Sequence, residues 1–268
     1  MDADRYLGEA DVLDMEQLSK ANSLASVEYH VRLPSTQDRA HEIAAQQGAA
    51  LPRLILADAQ TSGRGRGANR WWTGAGSLAF SLLFDPAGWN LPRGVSPQRS
   101  LAAALAVIDT VAPHLMNHVV GLHWPNDVFA GSRKLAGILI DVLPDGRHIL
   151  GIGLNVNNSL ADAPSDVRAR ASSLLDLTGV KHDRTGLLLM LLAQLEVRFR
   201  ELALSPDQIG REFHQRCLQV GKSLAIQCGS QRTSGVCAGI AVDGALLLET
   251  EQGLKKFYSG VLDHGVTA

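Results

Sequence analysis

The sequence predicts an α+β main domain followed by a small all-β appendage. Two observations carry this. Helix-period and strand-period segments interleave through residue 220, and from Lys222 onward only short strand patterns remain, with Asp243-Gly244 as a hairpin turn between Val236–Val242 and Ala245–Thr250. The expected division is a short lead segment at 1–28, a main domain at 29–220 and a β-barrel appendage at 221–268.

The elements follow in order. Residues 1–28 place apolar Leu7, Val12, Leu13, Met15 and Leu18 irregularly, so a weakly helical leader is expected. Ser35-Thr36 opens a helix: a hydroxyl cap, Asp38 three residues later, an alanine-rich run through Gln47 and Gly48 as the stop. Leu54–Ala57 and Ser77–Phe84 read as strands, and Pro97–Leu115 as a long apolar-faced helix with proline in its first turn. Val119–His123, Leu135–Leu143 and His148–Val156 are strands, the last two joined by the turn Pro144-Asp145-Gly146 and therefore antiparallel. Thr185–Ala203, dense in leucine, reads as a largely buried helix, and Pro206–Val220 as a second helix.

Composition limits function. The chain has 268 residues, 46% of them apolar, and a formal net charge of −2, so it lacks the global positive field of a polyanion binder and long nucleic acids are poor partners. Cys217, Cys228 and Cys237 are odd in number and lack metal-ligand spacing, which fits a reducing cytoplasm. There is no signal-like leader and no apolar run long enough for a bilayer, so no membrane role is expected.

Three short segments carry the chemistry. Gly63-Arg64-Gly65-Arg66-Gly67 sets two permanent cations on a backbone that bends closely around a ligand, which suits phosphate or carboxylate. Its glycine spacing is neither a Walker A loop nor a dinucleotide fingerprint. Trp124-Pro125-Asn126-Asp127 precedes Lys134, the only lysine between Lys20 and Lys181, and Gly137. Gly151-Ile152-Gly153-Leu154-Asn155 is a strand on which backbone approaches closely, with a terminal carboxamide suited to phosphate or ribose oxygens. Each has an ordinary alternative: a solvated loop, a turn after proline, a bulge. Trp71-Trp72 suits core packing and stacking alike.

In content and order these segments resemble the biotin protein ligase family, in the stretches Gly63–Arg70, Trp124–Asp127, Lys134–Leu139 and Gly151–Asn155. The likeness extends to Leu33-Pro34-Ser35-Thr36 and Gly244–Glu249, covering nearly everything after residue 30. It implies a class II synthetase-like catalytic fold, a mixed sheet packed against helices with an SH3-like barrel behind it. It also implies an enzyme that joins biotin to ATP and passes biotin to a lysine of a biotin carboxyl carrier domain. By resemblance, Ser35, Thr36, Gln60, Gly63, Arg64, Arg66, Gly76, Lys134 and Gly137 border biotin, with Leu78–Leu82 as an apolar wall. Arg66, Trp71, Asn126, Lys134 and Asn155 would meet ATP, Trp71 under the adenine. Arg66, Lys134 and Asp127 would be catalytic, Asp127 also touching Mg2+. Two departures stand out: Gly67-Ala68-Asn69 where relatives continue with Arg-Gly-Arg, and His123 where relatives usually carry lysine. Fewer than about thirty residues precede the pattern, too few for a DNA-binding core, so a monofunctional form is expected. Lipoate ligation and a non-catalytic biotin or adenylate sensor are the alternatives, and a homodimer through sheet edges is compatible with the pattern.

Overall fold

The structure, a computed structural model, describes residues 12–46 and 48–263. Its main body is a seven-stranded sheet of β1 (Ser26–Leu33), β2 (Arg53–Gln60), β3 (Leu78–Phe84), β4 (Val120–His123), β5 (Asp127–Ala130), β6 (Arg133–Val142) and β7 (His148–Leu154). The spatial order is β1-β2-β3-β7-β6-β5-β4, with β1 and β2 parallel and every other pair antiparallel. A five-stranded antiparallel sheet follows: β8 (Ser223–Cys228), β9 (Gln231–Ile240), β10 (Leu246–Thr250), β11 (Gly253–Phe257) and β12 (Val261–Asp263), ordered β11-β10-β9-β8-β12. The expected α+β class with a mixed sheet and a β appendage therefore holds.

The helices are α1 (Met15–Ser19), α2 (Thr36–Ala44), α3 (Pro97–Val111), α4 (Ser165–Arg170), α5 (Leu174–Thr178), α6 (Arg184–Leu204) and α7 (Pro206–Gln215). They split by sheet face. α3, whose Leu101–Ile108 run is fully buried, lies between β4–β6 and α6, where Leu188, Leu191, Leu195 and Phe199 complete the main core. α2 covers the opposite face, setting Ala40, Ile43 and Ala44 on Ile55, Leu83 and Ile149. Strand alternation sends Leu54, Leu56 and Leu82 to the main core and their odd-numbered neighbours to α2. Ile226, Cys237, Leu246 and Leu248 of the second sheet join the main apolar cluster, so the appendage shares a core with the body.

Several expected boundaries shift. In the described part of 1–28, α1 supplies the weak helix expected there, while Leu13 and Leu18 are buried in the main core and β1 begins at Ser26, inside the expected lead segment. The part at 1–11 lies outside the described residues, as does Gln47 at the expected end of α2. The helix expected over Pro206–Val220 ends at Gln215, where the chain turns to bridge Leu122 and Cys217 in parallel. That expected over Pro97–Leu115 tightens to a 3₁₀ turn after Val111, which opens with Ala112-Pro113. Asp127, read as part of a turn, begins β5.

Candidate active site

The site sits on the face of the sheet that α2 covers only in part. Three glycines make that face low. Gly137 of β6 pairs with Gly153 of β7, and Gly151 lies between Ser81 of β3 and Leu139 of β6. The three glycines let Gln37, Trp71 and Lys134 lie close against the strands, and these groups border a recess of about 210 Å³. Ser35, Thr36, Gln60, Arg64, Arg66, Trp71, Asn126, Asp127, Lys134 and Gly137 all line it. A second, larger hollow of about 680 Å³ adjoins it, bordered by Gly63, Trp72, Phe129, Ser132 and Asn155. Gln60, Asn69, Arg70, Trp71, Asp127 and Lys134 line both and so form the partition.

Each wall has a local cause. Ser35 caps α2, its Oγ accepting from the Asp38 amide at 3.4 Å, which brings Ser35 and Thr36 to the recess at the helix start. The Gly63–Arg70 loop is an ordered hairpin: Gly65 N–H donates to the Asn69 carbonyl at 2.9 Å, and Trp71 N–H to the Gly63 carbonyl at 2.9 Å. The segment is therefore closed on itself, while Arg64 and Gly67–Arg70 remain exposed to solvent. Gly63 is required, since a Cβ there would stand 2.5 Å from the Trp71 carbonyl oxygen.

Charge converges on the recess. Arg64 Nε lies 2.5 Å from Asp38 Oδ1. Arg66 donates from Nη2 to the Gly260 carbonyl at 2.6 Å, and its burial lowers its pKa while the Asp127 carboxylate opposes the shift. Lys134 Nζ is 2.7 Å from Asp127 Oδ1 and 5.6 Å from the Trp71 ring centroid. The two join because β5 and β6 are adjacent antiparallel strands whose register slips at Val128/Phe129. With Arg70, four cations thus face one recess that holds one partly buried carboxylate.

Other expectations resolve differently. Gly76 lines neither hollow: it sits at φ +90°, and its carbonyl accepts from the Asn157 amide at 2.9 Å. Of the Leu78–Leu82 wall, Phe80 and Ser81 reach the recess. The close approaches over the Gly151-Ile152-Gly153 strand are made by side chains of this protein, Gln37 over Gly151 and Trp71 over Gly153. Asn155 is 3% exposed, donates to the Ser172 carbonyl at 3.1 Å and accepts from Asn158 Nδ2 at 3.1 Å, so its carboxamide ties the turn ahead of α5. Asn126 spends its NH2 on the Ile138 carbonyl at 2.5 Å. His123 stacks on Phe129 with centroids 4.3 Å apart. Residues that sequence reading missed are Gln37, Arg70, Asp141, and Val261 and Leu262 of the second sheet. Gln37 adjoins the Ser35-Thr36 signal, whereas nothing local marks Val261 or Leu262.

A metal would find few ligands. Among the described residues no three His, Cys, Asp or Glu side chains converge, and Asp127 is already paired with Lys134. Nor is any helix among the described residues long and apolar enough to cross a membrane.

Comparison with known proteins agrees with this geometry. The profile of the Biotin/lipoate A/B protein ligase family matches residues 29–157. The chain is 33% identical over 245 residues to the bifunctional ligase/repressor BirA of Bacillus subtilis, covering 88% of this chain and 73% of that one. It is 35% identical over 199 residues to the biotin--[acetyl-CoA-carboxylase] ligase of Mycobacterium tuberculosis, covering 73% of each. Among solved structures, the biotin protein ligase of Aquifex aeolicus in complex with biotin and ATP superposes with a TM-score of 0.77 at 27% identity, over 90% of this chain and 98% of that one. With the recess, its cations and these likenesses in agreement, the chain belongs to the biotin protein ligases of the biotin/lipoate A/B protein ligase family.

Proposed function

We propose that this protein activates biotin with ATP to biotinyl-5'-AMP and transfers the biotinyl group to a lysine of a biotin carboxyl carrier domain, residues 29–220 doing the chemistry and 221–268 forming the appended barrel. The observation that carries this is the partition of Lys134, Asp127 and Trp71 between two hollows, one sized for a small acid and one for a nucleotide.

In the first step the carboxylate of biotin attacks the α-phosphorus of ATP, and pyrophosphate departs. Nucleophile and target are both anionic, so the barrier is chiefly one of bringing like charges together. Arg64, Arg66 and Lys134 offset that repulsion and stabilise charge developing on the α-phosphate, and no enzymic nucleophile is needed. Lys134 sits at the junction, able to reach both anions, while Asp127 holds its ammonium in place at 2.7 Å. Trp71 offers its ring to the adenine on the far side of the partition. Among the described residues Asp127 is the one carboxylate lining the recess, so a magnesium ion would be held chiefly by triphosphate oxygens and would offset their charge. In the second step the deprotonated amine of the acceptor lysine attacks the acyl carbon and AMP leaves. That amine has an ordinary pKa of about 10.4, and Asp127, the carboxylate lining the recess, is the group assigned to receive its proton. The exposed edge of β1 is where a carrier strand or a second copy would pair.

The test is incubation with ATP, magnesium, biotin and a purified carrier domain. The carrier should gain the mass of one biotinyl group. An unchanged carrier mass, or equal competition by lipoate, would overturn the reading.

A further inference from the structure

A line of polar side chains runs from the surface to the rim of the smaller recess, and its interpretation rests on that recess being the biotin pocket. His41 Nε2 and Gln37 Nε2 each lie 2.9 Å from Asp141 Oδ2, and Gln37 Nε2 also donates to the Ile149 carbonyl at 3.3 Å. Gln37 Oε1 is 3.0 Å from Ser81 Oγ, which is 2.9 Å from Thr36 Oγ1. Thr36 Oγ1 is in turn 3.2 Å from Gln60 Oε1, which accepts the Thr36 amide at 2.8 Å. Thr36, Gln37 and Ser81 are all buried. The sheet makes room for the line at Gly151, where a Cβ would stand 2.6 Å from Gln37 Oε1.

Three contacts along this line, Gln37–Ser81, Ser81–Thr36 and Thr36–Gln60, share two hydroxyl protons. A carboxylate and a backbone carbonyl only accept, so Gln37 turns its NH2 to Asp141 and Ile149 and its carbonyl oxygen to Ser81. That oxygen also only accepts, so it takes the single hydroxyl proton of Ser81. The Thr36 proton then has two acceptors within reach, Ser81 Oγ at 2.9 Å and Gln60 Oε1 at 3.2 Å. When it goes to Ser81, Thr36 Oγ1 and Gln60 Oε1 converge at the recess wall as two acceptors 3.2 Å apart. Such a pair is relieved by a ligand that brings an N–H of its own, as a cyclic urea does and a dithiolane does not.

We propose that Asp141 is a positioning residue for substrate selection: through Gln37 and Ser81 it orients the Thr36 hydroxyl so that Thr36 and Gln60 together accept a ring N–H of the substrate. Without Asp141 only the 3.3 Å contact to the Ile149 carbonyl holds the Gln37 amide this way round, and turning it over to donate to Ser81 reverses the line. Thr36 would then donate to Gln60 and the converging acceptors would be lost.

The test compares steady-state adenylate formation by wild type, Asp141→Ala, Thr36→Val and the double variant. Wild-type turnover with biotin and ATP secures the premise; its absence would defeat the proposed function and not this network. Asp141→Ala should raise the KM for biotin about tenfold, the scale of one hydrogen bond lost from a buried partner, with kcat and the KM for ATP unchanged. In the Thr36→Val background the same change should cost nothing more, because the effect passes through the Thr36 hydroxyl. Gln37→Met, which keeps the side-chain volume, should reproduce the KM rise and serves if Asp141→Ala does not fold. Penalties that simply multiply, or a lowered Tm with an unchanged KM, would mean that the line only fastens α2 to the sheet and would overturn the proposal.

Discussion

The indole of Trp71 lies directly on Gly153: a Cβ built on that glycine would stand 2.2 Å from Trp71 Cε2 and 2.5 Å from Nε1. Trp71 Nε1 is buried without a hydrogen-bond acceptor, so the ring is held there by packing against Gly153 and Gly137 and by the Lys134 ammonium. The glycine of β7 is thus matched to the aromatic wall between the two hollows.

Gly153→Ala should displace Trp71 from this seat. The KM for ATP should rise more than the KM for biotin, and stability should fall by about 1–3 kcal/mol, as for an overpacked contact. Parallel ATP and biotin titrations with a urea melt check both. Unchanged KM values would show that the position of Trp71 is immaterial to nucleotide binding.

Lys134→Ala removes the cation at the partition and leaves Asp127 without its partner at 2.7 Å. Adenylate formation should drop by roughly 10²-fold or more, with little change in the circular dichroism spectrum. A pyrophosphate-release assay reads it, and full activity would refute the role assigned to Lys134.

Arg66→Lys keeps the charge but gives up the fork that binds the Gly260 carbonyl while facing the recess. Activity should fall by at least tenfold even though a cation remains, since a single ammonium does not span both duties. Wild-type rates from this variant would mean that charge alone suffices.

Stability should respond to acid through Glu28. Burial favours its neutral form, but hydrogen bonds from Arg39, His30 and Arg53 prevail and hold its pKa down at about 2, against an ordinary 4.5. A carboxyl depressed in the folded state stabilises fully above its unfolded value and loses that contribution as pH falls through the folded one. The Tm should therefore decline between about pH 4.5 and 2, and Glu28→Gln should flatten that part of the decline while lowering the Tm at neutral pH. A Glu28→Gln profile parallel to wild type would sink the assignment.

What the sequence determined by itself was the chemistry and most of the local structure. Its hydrophobic periods located β3, β6, β7, α3 and α6 to within a few residues, the serine cap located α2, and glycine alternation marked the low face of the sheet. These are short-range signals, written in neighbouring residues. Tertiary structure decided the rest. β1 was hidden because a parallel edge strand has no turn to announce it, and β5 because Trp124-Pro125-Asn126-Asp127 reads as a turn until its partner strand is seen. Only the folded chain shows that Gly151 and Gly153 accommodate Gln37 and Trp71, that Gly260, more than 190 residues away, anchors Arg66, and that Asn155 is spent on the Ser172 carbonyl. Contacts of that kind depend on sheet order and register, which no local spacing encodes.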